Sequence, residues 1–211
     1  MANGVPVKDA PRSTAERILD AAEDLFAEKG YAATSLGDVA DRVGIRSPSL
    51  YNHCRNNEAL YQAVLDRLIK EFSQPLWEIS RTDDPDRDLV LQWLETIVRM
   101  HHANPNLARL LQHAALSGGP HTKELIDRHF RPMFEPAAGS DPQGERFGRL
   151  HREGLQPWAV MAFNNLVMSY VTMAPMYSDL LGEDPFSEDA LDKQLNLIRT
   201  LLKAVFSYQG D

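Results

Sequence analysis

Apolar residues return at every third or fourth position through most of this chain, and nowhere do they alternate. Ile18, Leu19, Ala22, Leu25 and Phe26 follow that spacing, and so, much later, do Trp93, Leu94, Ile97 and Val98. A period near 3.6 places them on one stripe of a helix, whereas a half-buried strand needs a period of two. Sheets and barrels are therefore excluded, and an all-α chain is predicted. Its 211 residues suffice for one large domain or a small one joined to a medium one. Cys54 is the single cysteine, so no intramolecular disulfide can form, which fits a reducing cytoplasm. The opening MANGVPVKDAPR lacks the apolar core of a signal peptide. The most apolar stretch, 158–177, is interrupted by Asn164, Asn165, Ser169, Thr172 and Pro175, and reads as a buried helix rather than a membrane span. The expected location is the cytoplasm.

Capping signals divide the pattern into helices. Residues 1–12 read as a mobile arm. Ser13 with Glu16 three positions later has the spacing of a capping box, and Gly30 closes that helix. Ser35 with Asp38 opens a second, which Gly44 stops after about two turns. Ser47 reads as the N-cap of a third, with Pro48 at the first helical position, where a missing N–H costs nothing. Asn56 and Glu58 restart the chain as a longer helix running to Phe72. Beyond Pro75, helices are expected over 85–103, 106–116, 122–134, 157–181 and 187–208, with a loop over 136–144.

Charge is distributed unevenly over this frame. The formal net charge is −8, yet from Arg42 to Asn57 there is no carboxylate and there are three arginines. An acidic chain repels polyanions in bulk, so any nucleic-acid contact must use a local patch. The two short helices meeting at "VGIRS" form a helix-turn-helix signature, with Leu36, Val39, Ala40, Ile45 and Leu50 as the apolar faces that hold the pair together. The second helix of such a pair enters the major groove by its N-terminal end. Here that end reads Arg46, Ser47, Pro48, Ser49, then Tyr51, Asn52 and His53. Arginine can pair bidentately with guanine and asparagine with adenine, while Ser, Tyr and His can donate to phosphates. The alternative for each of these residues is an ordinary solvated helix face.

The segment "AERILDAAEDLFAEKGYAATSLGDVADRVGIRSPSLYNHCRNNEALYQAVL" resembles the N-terminal domain of the TetR family of transcriptional regulators. The resemblance covers about residues 13–65. It implies a three-helix DNA-binding domain over 13–55, followed by a larger all-helical domain over 56–211 that binds a small effector and dimerises through its last two helices. It also implies a palindromic double-stranded operator, a homodimer and a repressor. On this basis Arg46 and Asn52 are expected near bases, with Ser35, Tyr51, His53 and Asn57 on phosphates. The chain departs from the family at Cys54, where an aromatic is usual, at Asn57, where a lysine is frequent, and at Gly37. A mid-helix glycine costs up to about 1 kcal/mol.

Within the larger domain, inward-facing histidines, methionines and aromatics are candidates for an adaptable, mostly apolar pocket. They are Trp93, Ile97, His101, Leu110, His129, Met133, Phe163 and Tyr170, with the histidines as polar anchors. The alternative for each is plain core packing. The apolar stripe on the last two helices is wider than one partner helix needs, which marks Leu166, Val167, Val171, Leu195, Ile198 and Leu202 for a dimer interface. No His, Cys or carboxylate spacing reads as a metal site, and no cofactor is expected. No nucleophile–base pair or glycine-rich phosphate loop supports catalysis, so the chain is not expected to be an enzyme. The competing readings are a helical small-molecule carrier or enzyme without DNA binding, and an architectural DNA binder. Against the latter, residues 71–211 carry 13 basic and 20 acidic side chains.

Overall fold

In the computed structural model, residues 12–80, 87–117, 123, 126, 127, 154 and 156–207 are described. The described residues are helical throughout their regular structure, with no strand among them: α1 Thr14–Lys29, α2 Leu36–Val43, α3 Ser47–Leu50, α4 Asn57–Ser80, α5 Arg87–Ala103, α6 Asn106–Ser117, α7 Gln156–Thr172, α8 Ala174–Leu181 and α9 Glu188–Ser207. The expected arm, the helix over 122–134 and the loop over 136–144 fall wholly or largely outside the described residues. The chain divides into two compact units, one ending at Val64 and the other beginning at Leu65.

Local chemistry fixes the first unit. Ser13 and Glu16 form a reciprocal capping box, as do Ser35 and Asp38, so each helix start satisfies its own exposed amides. Gly30 leaves α1 at φ 78°, ψ 168°, which is an extended mirror-image conformation rather than the left-handed one expected. Gly44 does adopt the left-handed form, at φ 75°, ψ 36°. Its N–H reaches Asp41 O and the Ile45 N–H reaches Ala40 O, the paired bonds of a Schellman motif. In the core of the unit, Phe26 meets Tyr61 edge to face at 5.0 Å, and Ile18, Leu25, Val39, Leu50 and Val64 are essentially without exposure. A Cβ at Gly37 would meet only Ser35 Oγ, at 3.5 Å, so that glycine is not required by space.

Three helix boundaries differ from the sequence reading. The N-cap of α3 is Arg46, without a side-chain cap bond, so Ser47 opens the helix and Pro48 is its second residue. Helix α4 runs through Pro75 to Ser80 instead of ending before it. The long helix expected over 157–181 breaks at Met173, because Pro175, lacking an N–H, cannot continue the α7 ladder.

The second unit is built around Val98 of α5, Val167 of α7, and Leu191, Leu195 and Ile198 of α9. Ile97, Phe163 and Leu202 flank this cluster. Arg199 Nε donates to Glu95 Oε1 at 2.6 Å, tying α9 to α5. Four residues expected at a dimer interface are therefore interior: Val167, Val171, Leu195 and Ile198 are all at most 2% exposed within the single chain. Leu202 is half-buried against the same cluster, and only Leu166 of the six is exposed. Helical spacing identified a buried stripe correctly but could not say which body buries it. Leu195→Ala should accordingly lower stability by about 2–5 kcal/mol, read from urea unfolding, without splitting any oligomer.

Candidate nucleic-acid interface

Reading outward from the core of the first unit, Leu50 is the fixed point. It is fully buried, and α3 packs on α2. Every neighbour of Leu50 from Arg46 to His53 is exposed. After Leu50 the winding continues through tighter turns, with the His53 N–H donating to Leu50 O at 2.9 Å and the Cys54 N–H to the same oxygen at 3.1 Å. A helical ridge pinned by one leucine thus presents Arg46, Ser47, Pro48, Ser49, Tyr51, Asn52 and His53 together on its outward flank. None of their side chains makes a hydrogen bond or ion pair within the chain. Tyr51 stands 59% exposed, a large ring with no core to serve.

Neighbouring charges leave the ridge positive. Arg55 is exposed and unpaired, while Arg42 lies 3.7 Å from Glu28 with both side chains exposed, a pair that solvent screens heavily. Arg12 is spent on Asp20 at 2.7 Å. Cys54 is half-buried with its thiol on Leu50 O at 3.6 Å, and burial raises its pKa, which disfavours the reactive thiolate.

Two expected phosphate contacts are committed elsewhere. Ser35 Oγ donates to Asp38 Oδ2 at 2.6 Å and accepts from the Asp38 N–H at 3.2 Å, so its hydroxyl serves the cap. The Ser35 hydroxyl, with the Ser35 N–H at 2.8 Å, donates to Asp38 Oδ2 and holds that carboxyl below the usual carboxylate range. Asn57 donates its amide N–H to Thr34 O at 2.8 Å, and its Oδ1 is buried without a partner. Both arrangements have one origin: short polar side chains at helix starts satisfy backbone groups close by. Sequence reasoning passed over Arg17, whose guanidinium donates to Val43 O at 2.6 Å; its spacing from Val43 carries no local signal.

The residues expected to line an effector pocket scatter. His129 and Met133 lie outside the described residues. Ile97 and Phe163 pack on the core cluster, and Leu110 is fully buried. Trp93 is half-buried on α5. Tyr170 donates to Pro185 O at 2.7 Å and faces His102, ring centroids 6.0 Å apart. His101 is 5% exposed, lies 4.5 Å from the Phe72 ring centroid, and has a buried Nδ1 with no partner; burial pulls its pKa down to about 4. His102 adds a second unpartnered nitrogen, Nε2, missed because adjacent histidines point to different sides of a helix. Among the described residues no cluster of His, Cys, Asp and Glu could hold a metal ion, and no helix is long and apolar enough to cross a membrane.

Known proteins agree with the helix-turn-helix geometry. Residues 18–64 match the family of bacterial regulatory proteins designated tetR. The HTH-type transcriptional repressor ComR of Escherichia coli is 47% identical over 58 residues, 28% of this chain and 28% of ComR. The HTH-type transcriptional repressor BdcR of the same organism is 32% identical over 105 residues, 50% of this chain and 51% of BdcR. The chain thus spans less than two thirds of the length of either relative. Across the whole fold, the fatty acid degradation regulator FadR from Bacillus halodurans is similar at a TM-score of 0.63 and 16% identity, covering 97% of this chain and all of that one. The turn at Gly44, the buried Leu50 and the family match all fall in one segment, and over that segment, residues 18–64, the chain is similar to the tetR family of bacterial regulatory proteins.

Proposed function

We propose that this chain is a DNA-binding transcriptional regulator that reads a two-fold symmetric operator as a homodimer and is released by a small, mostly apolar effector. The observation that carries the reading is the row of exposed, internally unpaired polar side chains from Arg46 to His53, free of carboxylates and pinned from behind by Leu50. Arg46 and Asn52 are the base readers, and Tyr51, His53 and Arg55 the phosphate partners. The names of ComR and BdcR favour repression.

One ridge this short touches too few base pairs for useful selectivity. Two of them about 34–36 Å apart would read successive major grooves. A second copy needs a surface, and α9 supplies one on the side away from the core. Leu197 and Leu201, four residues apart, are about half exposed, and Leu166 is exposed on α7, which shares the same core cluster. An apolar flank of this kind marks an association site rather than a solvated face. Effector release requires the ligand to favour the arrangement that cannot span the operator. His101 suits an anchor for such a ligand: a neutral imidazole with an unmet hydrogen-bonding nitrogen in apolar surroundings.

Three measurements test this reading. Selection from a random duplex pool should enrich a palindrome, and Arg46→Ala should weaken binding to it by about 1–3 kcal/mol while relaxing the preference at one base pair. Undiminished discrimination removes Arg46 from base reading. The double change Leu197→Glu with Leu201→Glu should give monomers by sedimentation, and a persisting dimer puts the interface elsewhere. For His101 the sign follows from its lowered pKa. The unfolded chain binds a proton near the ordinary 6.5 and the folded chain only near 4, so stability falls as pH drops through that window. His101→Phe should flatten that part of the fall in urea midpoint between pH 7 and 4.

A further inference from the structure

Helix α2 is held at both ends by side chains from the helices that flank the reading pair. At its C-terminal end, Arg17 of α1 donates to Val43 O at 2.6 Å. That carbonyl is one of the last four of the helix, which the helical ladder leaves unpaired. At the other end Asn57, the first residue of α4, donates to Thr34 O at 2.8 Å. Thr34 immediately precedes the α2 cap and is itself buried, with its hydroxyl 2.9 Å from Gly30 O and 3.2 Å from Leu25 O. Thr34 is therefore a node where the end of α1, the start of α2 and the start of α4 are joined by hydrogen bonds.

Asn57 gives one of its two amide hydrogens to this node, and the side chain is held turned inward. Its amide nitrogen faces Thr34 and its Oδ1 is buried, so turning the amide outward would break the bond to Thr34. Resting on the reading of Arg46 to His53 as the DNA ridge, we propose that Asn57 and Arg17 are positioning residues that clamp α2 and do not themselves touch nucleic acid. The ridge packs on α2, so α2 sets where Arg46 and Asn52 stand. A bidentate base contact is short and angle-dependent and fails on a small displacement. A long cation reaching a phosphate tolerates the same displacement. Loosening the clamp should thus cost sequence-specific binding and leave the electrostatic attraction to DNA intact.

The test uses the full chain and two labelled duplexes, one enriched from a random pool by the wild type and one of scrambled sequence, titrated at several KCl concentrations. Asn57→Ala and Arg17→Met should each bind the enriched duplex about tenfold more weakly, bind the scrambled one as the wild type does, and keep the wild-type slope of log affinity against log salt. Asn57→His, which retains a donor nitrogen, should restore most of the loss. A slope shallower by about one, with equal weakening on both duplexes, would mean a lost phosphate contact and would overturn the proposal. So would unchanged affinity on the enriched duplex with only a lower melting temperature. Should circular dichroism show Asn57→Ala to be unfolded, Arg17→Met decides by the same criteria. A wild type that enriches no sequence defeats the regulator reading and the clamp with it, whereas enrichment with indifferent variants defeats the clamp alone.

Discussion

The turn at Gly44 is where this molecule's chemistry begins. A residue with a Cβ is strained at φ 75°, and only the left-handed conformation lets the Gly44 and Ile45 amides close on the last carbonyls of α2 while sending the chain back across it. That reversal brings Leu50 onto α2. With Leu50 sealed in the core, the residues on either side of it have nowhere to go but outward. The exposed row from Arg46 to His53 is thus a geometric consequence of one glycine and one leucine six positions apart. The row's lack of carboxylates then matters, because a single acidic side chain there would face a polyanion at close range.

The proposed DNA binding is compatible with an acidic protein because the two demands are separated along the chain. The net charge of −8 keeps the bulk of the molecule from clinging to nucleic acid, while the segment from Arg42 to Asn57 carries three arginines and no carboxylate. Three cations elsewhere are occupied: Arg12 with Asp20, Arg199 with Glu95, and Lys193 with Glu183 and Asp189. Where pairing is exposed, as for Lys193, it contributes little to stability, but it does keep the charge from acting as a further DNA contact.

Much of the fold was legible in the sequence because its signals are local. Ser13 with Glu16, Ser35 with Asp38, and Gly44 each act through bonds spanning three to six residues, so spacing alone identifies them. The outward row from Arg46 to His53 was legible for the same reason. What failed to show depends on distant partners. Asn57 turns inward to a carbonyl 23 positions earlier, and Arg17 to one 26 positions later. Val167, Val171, Leu195 and Ile198 form an apolar stripe whether it meets α5 of the same chain or a second copy, and periodicity cannot distinguish these. The run of α4 through Pro75 was missed because proline removes one hydrogen bond without forbidding a helix that flanking turns already support.

Helix α9 shows how the ambiguity resolves. Leu191, Leu195 and Ile198 occupy one side and enter the core, while Leu197 and Leu201 lie on another and stay exposed. Two positions along a helix turn by about 200°, so Leu195 and Leu197 face nearly opposite ways. A helix that served only its own domain would carry polar groups at 197 and 201, as it does at Asp192, Lys193, Asn196 and Thr200. Leucine there costs solubility and adds nothing to the core. The same helix therefore records two separate requirements: an inner face that must fold the chain, and an outer face with no use inside it. On the proposed reading, one short ridge per chain needs a second ridge at a fixed distance, and an apolar outer face on a rigid helix would be a direct physical means of holding one there.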